Sequence, residues 1–111
     1  MKDRTEPLYM IRIVARRLGV HPQTLRVYEK EGLITPQRVG RQRFYSEQDI
    51  ERLRMILRLT RELGVNRAGV DIILRMRQKI ELLQRELQEA LCALDEDIRE
   101  ELEERIRRLF E

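Results

Sequence analysis

The stretch Ile11–Gly32, IRIVARRLGVHPQTLRVYEKEG, constrains the fold of this chain more than any other. Ile11, Val14, Ala15 and Leu18 recur at i, i+3, i+4 and i+7, so they share one helical face. Gly19 follows where a helix end favours a residue free to take positive φ. Val20 is an apolar plug for a turn, and Pro22 opens a second helix, where its missing N–H costs nothing. Leu25 and Tyr28 point back to the first helix, leaving Gln23, Thr24, Arg26 and Lys30 on other faces. The pattern is a helix-turn-helix with a polar, cationic second helix. An ordinary helical hairpin that binds nothing would show the same spacing.

The segment after the helix pair favours a nucleic-acid partner. Pro36 ends any helix and makes Thr35 extended. In QRVGRQRFYS, Gly40 turns the chain between two short extended arms, Gln37–Val39 and Gln42–Tyr45. Arg38, Arg41 and Arg43 crowd this hairpin, and a small basic hairpin behind a helix-turn-helix reads as a wing. Guanidinium groups suit it because they meet phosphate bidentately. A surface loop with three unpaired arginines is the plainer reading. The major groove of DNA admits one α-helix, which gives the second helix its place.

Charge supports the division. Residues 1–61 hold 14 Lys+Arg against 7 Asp+Glu, a net of +7, while residues 62–111 hold 9 against 13, a net of −4. A basic front half meets a polyanion; an acidic back half meets protein. With 41% hydrophobic and 39% charged residues in 111, the core is modest and association would complete its burial. No apolar run spans a bilayer and no signal peptide is evident. A single cysteine fits a reducing cytoplasm, the expected location.

Along the rest of the chain, residues 1–7 are charged and aperiodic, a mobile lead-in. Arg12 stands where a capping side chain would help the first helix. Ser46 with Asp49 resembles a capping box; the helix it starts carries Ile50, Leu53, Ile56, Leu57 and Thr60 and should run to about Leu63, where Gly64 closes it. Asn66 can cap the next helix, lined by Ala68, Val70, Ile73 and Leu74, with Gly69 weakening its first turn. Ile73, Ile80, Leu87 and Leu94 lie seven apart as a positions, with Met76, Leu83 and Ala90 as d positions. These heptads predict a coiled-coil seam and a homodimer, the alternative being a helix folded back on its own domain. Asp95, Glu96 and Asp97 can start a fresh helix with Ile98, Leu102, Ile106 and Leu109 as its stripe. Glu101–Arg105, Glu103–Arg107 and Glu104–Arg108 are spaced for i, i+4 pairs. No Gly or Pro separates this segment from the heptads, so one long helix and two remain open.

These strings resemble the MerR family of transcription regulators. VARRLGVHPQTLRVYEKEGLITP and GRQRFYSEQDIERL carry the likeness over about residues 9–76, and HPQTLR, GRQRFYS and LGVNRAGVDIIL are most similar to its heat-shock repressor branch, the HspR-like proteins. Arg12, Val27 and Arg67 depart from residues common there. The resemblance implies a mainly α protein with three parts. A winged helix-turn-helix DNA-binding domain with a small β-hairpin wing would occupy residues 8–76, a coiled-coil dimerisation helix 77–94 and an amphipathic tail 95–111. It implies a dimer on an inverted repeat of double-stranded DNA. On the helix-turn-helix, the candidate DNA contacts are Arg16, Arg17, His21, Gln23, Thr24, Arg26, Tyr28 and Lys30; on the wing they are Arg38, Arg41, Arg43 and Tyr45. A DnaK-type chaperone as co-repressor, which the tail with its basic and apolar Arg107–Phe110 would help to recruit, is a further implication; the plainer reading of the tail is that its apolar stripe packs on the coiled coil and completes the dimer.

Sensing of a soft metal would need two or more thiolates or imidazoles, and the chain has only Cys92 and His21. No metal or cofactor is therefore expected. Cys92, between Leu91 and Ala93, reads as a packed thiol, and His21 as a helix-start residue near DNA. No nucleophile–base pair or phosphate-cradling Gly loop is evident, so an enzyme is not expected. The remaining rivals are a MerR-like activator and a dimeric adaptor whose basic face is incidental.

Overall fold

The computed structural model describes residues 3–111; Met1 and Lys2, the start of the expected lead-in, lie outside it. The chain divides into two compact units, Met1–Ile72 and Ile73–Glu111.

The first unit is built on the two expected helices, α1 (Ile11–Leu18) and α2 (Pro22–Lys30). Gly19 takes φ +68°, and the Gly19 and Val20 N–H groups donate to the carbonyls of Arg16 and Ala15. This is the left-handed cap that only glycine adopts without strain. The same device ends α2: Gly32 has φ +79°, with Gly32 donating to Glu29 and Leu33 to Tyr28. Two such stops, one on either side of α2, fix where this helix begins and ends.

The arms of the wing form β2 (Gln37–Val39) and β3 (Gln42–Tyr45), paired antiparallel with Val39 opposite Gln42. Gly40 opens their two-residue loop at φ +64°. A third strand, β1 (Tyr9–Met10), joins the other edge of β3 with Tyr9 opposite Tyr45. Two residues carry no readable period, so this strand is decided by its partner. It also replaces the missing cap of α1. The N-cap is Met10, not Arg12, and makes no side-chain bond; strand pairing holds that end instead. The lead-in is likewise tethered from residue 3 on. Thr5 bonds the Asp3 carboxylate, Gln48 donates to the Arg4 carbonyl, and Arg4 pairs with Glu51.

Helix α3 (Glu47–Leu57) starts at the reciprocal Ser46–Asp49 capping box, with bonds of 3.0 and 2.9 Å. It does not run as a regular helix to Leu63. Residues Arg58–Glu62 widen into a π turn, beside which the Thr60 hydroxyl donates to the Ile56 carbonyl at 2.8 Å. Asn66 then caps α4 (Arg67–Cys92), accepting from the Gly69 N–H at 2.9 Å. Gly69 is more than a weak point of that turn. A Cβ there would lie 2.7 Å from the Val65 Cγ1 and 3.3 Å from the capping Asn66 oxygen. Val14, Leu25, Leu33, Tyr45, Ile50, Leu53, Ile56 and Val70 are the largest fully buried side chains of this unit.

In the second unit α4 continues unbroken past residue 76 to Cys92, and α5 (Glu96–Leu109) follows after a break at Ala93–Asp95. There are thus two helices. Leu94, expected as the last heptad position, lies in the break rather than on the helix. Cys92 is exposed, which corrects its reading as a packed thiol; the inward side chain at this end is Leu91. Of the three expected i, i+4 pairs in the tail, Glu104–Arg108 forms at 3.5 Å, while Glu103 meets Arg99 and Arg107 meets Glu104.

Candidate nucleic-acid interface

The exposed face of α2 carries Gln23, Arg26, Val27 and Lys30, spaced i, i+3, i+4 and i+7. Leu25 and Tyr28 occupy the opposite, buried face. The helix is amphipathic in the sense a docked recognition helix requires: one side packed, the other polar and cationic. His21 caps it, its Nδ1 accepting from the Gln23 N–H at 3.0 Å. A ring nitrogen here does the work that a Ser or Asp oxygen does at most helix starts.

Not every candidate lies on the surface. Tyr28 is buried, with its hydroxyl 3.3 Å from that of Thr60, and Thr24 is half-buried. Tyr45 is fully buried and its hydroxyl oxygen meets no hydrogen-bond partner among the described residues. The two tyrosines are therefore corrected from contact residues to parts of the core. Burial, and then the charge of Glu29, pushes the Tyr45 phenol up to about 12. An unpartnered buried hydroxyl is a desolvation cost without return. Tyr45→Phe should therefore leave DNA binding unchanged and keep or raise stability, by up to about 1 kcal/mol; a lower melting temperature would show that the hydroxyl is satisfied.

The basic residues sort by their partners. Arg16, Arg26, Lys30 and Arg41 are exposed, and Arg26 makes a long bond to Gln23, 3.4 Å. Arg17 is committed to its own domain, paired with Glu47 at 3.0 Å and stacked 5.1 Å from the Tyr9 ring centroid. The wing arginines split. Arg41 stands at the hairpin tip, whereas Arg38 and Arg43 both reach Glu29 on α2. Gln23, Arg26, Val27, Glu29, Lys30, Arg38 and Arg43 line one open cleft of about 470 Å³ between α2 and the wing. The structure thus gathers much of the expected set on one side, together with Val27 and Glu29, which sequence reasoning left out of it.

Burial alone would raise the Glu29 carboxyl, but hydrogen bonds from Arg38 and Arg43 outweigh it and hold it below the usual carboxylate range. The contribution of this group to folding is therefore complete above the ordinary Glu value and is lost as pH falls through the lowered one. Two further arginines act on the backbone. Arg52 donates to the Leu33 carbonyl at 2.7 Å and Arg67 to the Glu31 carbonyl at 3.2 Å, anchoring the chain that leaves α2. Arg17, Arg54, Arg58, Arg61 and Glu62 are among the residues that line a second depression. Only Arg17 of these stood among the expected contacts, because helix spacing shows a charged face and not which faces converge.

The sequence pattern that defines MerR HTH family regulatory proteins matches residues 9–77, which contain α1, α2, the wing and α3. This chain belongs to the MerR family. Among its relatives is a Streptomyces coelicolor protein designated a heat shock protein, HspR, 42% identical over 90 residues. The match covers 80% of this chain and 60% of that protein. A second, the mercuric resistance operon regulatory protein of Bacillus cereus, is 34% identical over 101 residues, covering 87% of this chain and 76% of the other. This MerR chain therefore spans about 60% of the length of its HspR relative. Among its described residues no group of three His, Cys, Asp or Glu could hold a metal ion, and no helix is long and apolar enough to cross a membrane.

Proposed function

We propose that this MerR protein is a cytoplasmic, non-enzymatic regulator of transcription that binds double-stranded DNA as a homodimer on an inverted repeat and represses heat-shock genes. The observation that carries DNA binding is the cationic face of α2 beside the wing. Gln23, Arg26, Val27 and Lys30 stand exposed on a helix whose other side is packed, with Arg41 at the hairpin tip. Gln23 and Arg26 suit base edges, and Val27 offers methyl groups to a thymine methyl. Arg41 and Arg16 suit phosphates. The domain assignment follows the same logic: residues 8–76 for DNA, 77–94 for dimerisation and 95–111 for a tail.

Dimerisation is supported by the stripe Met76, Ile80, Leu83, Leu87 and Ala90, all exposed in the single chain, with Ile73 half-buried beside it. Such a stripe on one helix is the signature of a partner helix. Heat-shock repression rests on the likeness to the HspR relative. The same likeness motivates a DnaK-type chaperone as co-repressor. Leu109 and Phe110 support a dock for it: Phe110 is 77% exposed and stands beside Arg107 and Arg108.

The test is binding to a duplex selected by the whole chain from a randomised pool, followed across salt concentrations. Arg41→Ala should weaken selected and random duplexes alike and flatten the log–log salt slope by about one. The same titration is repeated with chaperone added, for the whole chain and for one lacking Arg105–Glu111. Salt-independent retention of DNA would favour the adaptor reading, and an unchanged chaperone response after truncation would remove the tail as dock.

A further inference from the structure

Glu29 is the only acid on α2, and it faces the cleft proposed to meet a polyanion. Its side chain is only 17% exposed. Both carboxylate oxygens are engaged, Oε2 by Arg38 Nη2 at 2.7 Å and Oε1 by Arg43 Nε. Arg38 and Arg43 stand directly opposite each other on β2 and β3. Like charges directly opposite on paired strands repel and destabilise the hairpin. Glu29 offsets that repulsion from a different element, and so ties the wing to α2.

A guanidinium has five N–H groups in a rigid fork, and the bonds to Glu29 leave both arginines with donors to spare. We propose that Glu29 is a positioning residue for DNA binding: it clamps the wing against α2 and holds the remaining donors of Arg38 and Arg43 in the geometry that the backbone phosphates beside the recognition helix require. The inference rests on the reading that α2 and the wing form the DNA interface. Preorganisation of this kind lowers the ordering cost of binding, which is why a negative charge is tolerated on a DNA-facing cleft.

Charge and positioning make opposite predictions for Glu29→Gln. Removing a negative charge from a DNA-facing surface should by itself strengthen binding to any duplex. Loss of the clamp should weaken binding to the selected duplex by about tenfold or more, the worth of a charge-assisted hydrogen bond. Arg41 at the tip meets phosphate without the clamp and so acts on every duplex, whereas the clamped geometry of Arg38 and Arg43 matters only once α2 is docked on its selected site. Random duplex binding should therefore hold or rise, and equal weakening of both duplexes would overturn the positioning role. The comparison uses the whole chain, a duplex selected from a randomised pool, a random duplex, and Arg41→Ala as the control. In the background of Arg38→Ala with Arg43→Ala, Glu29→Gln should have no further effect on the ratio of the two affinities. If Glu29→Gln binds the selected duplex as tightly as the parent, or more tightly, while Arg41→Ala weakens it, the positioning role is overturned and the interface stands. If Arg41→Ala and Arg26→Ala both leave binding unchanged, the interface reading falls and the positioning role falls with it.

Discussion

On the proposed homodimer, Leu83→Glu combined with Leu87→Glu should yield a monomer in sedimentation, with binding to the selected duplex lost alongside. Leu83 is 68% exposed and Leu87 42% exposed in the single chain, on the same stripe of α4 as Met76 and Ile80. Each Leu buried at a seam contributes about 1.5–3 kcal/mol, and a symmetric pair of helices carries each twice. Glutamate there adds a desolvated charge to the lost apolar contact. On the proposed inverted repeat a monomer can place only one copy of α2, so half of the contacts disappear. A double variant that still sediments as a dimer would place the seam elsewhere. Because Leu94 lies in the break after α4, Leu94→Glu should matter far less than either substitution.

The second large effect separates the two sides of α2. Leu25→Ala should cost about 2–5 kcal/mol, because Leu25 is fully buried and its loss leaves a cavity under α2. In a small domain that is a large share of total stability, and the expected reading is a drop in thermal midpoint with loss of binding to every duplex. Its neighbour Arg26 is exposed. Arg26→Ala should leave the melting curve in place and relax sequence preference, losing about 1–3 kcal/mol of discrimination if Arg26 reads a base edge. Equal weakening of selected and random duplexes by Arg26→Ala would make it a phosphate anchor. A folded, stable Leu25→Ala variant would contradict the packing described for α2.

Much of this architecture was legible because it rests on local rules. Gly19 before Pro22 stops one helix and starts the next, whatever surrounds them. Gly40 between two short arms makes a hairpin, and Ser46 with Asp49 makes a capping box, since each device is complete within a few residues. The stripe of α4 is readable for the same reason: its seven-residue period needs only the helix itself.

What needed the tertiary structure is what joins residues far apart in the chain. Strand β1 exists because Tyr9 and Met10 find the free edge of β3, and no two-residue string announces that. Tyr45 belongs to the core because the folded chain buries it completely, although it sits on an arginine-rich wing. The π turn at Arg58–Glu62 was equally hidden, since its widened hydrogen bonding leaves no mark in an apolar period of 3.6. Above all, sequence determined that Arg38, Arg41 and Arg43 share a hairpin, and the fold decided which of them meet an acid. Glu29, nine residues from Arg38 and fourteen from Arg43, takes both of them and leaves Arg41 at the tip. Composition sets the charges a chain carries; which of them meet is settled only when the wing folds back to α2.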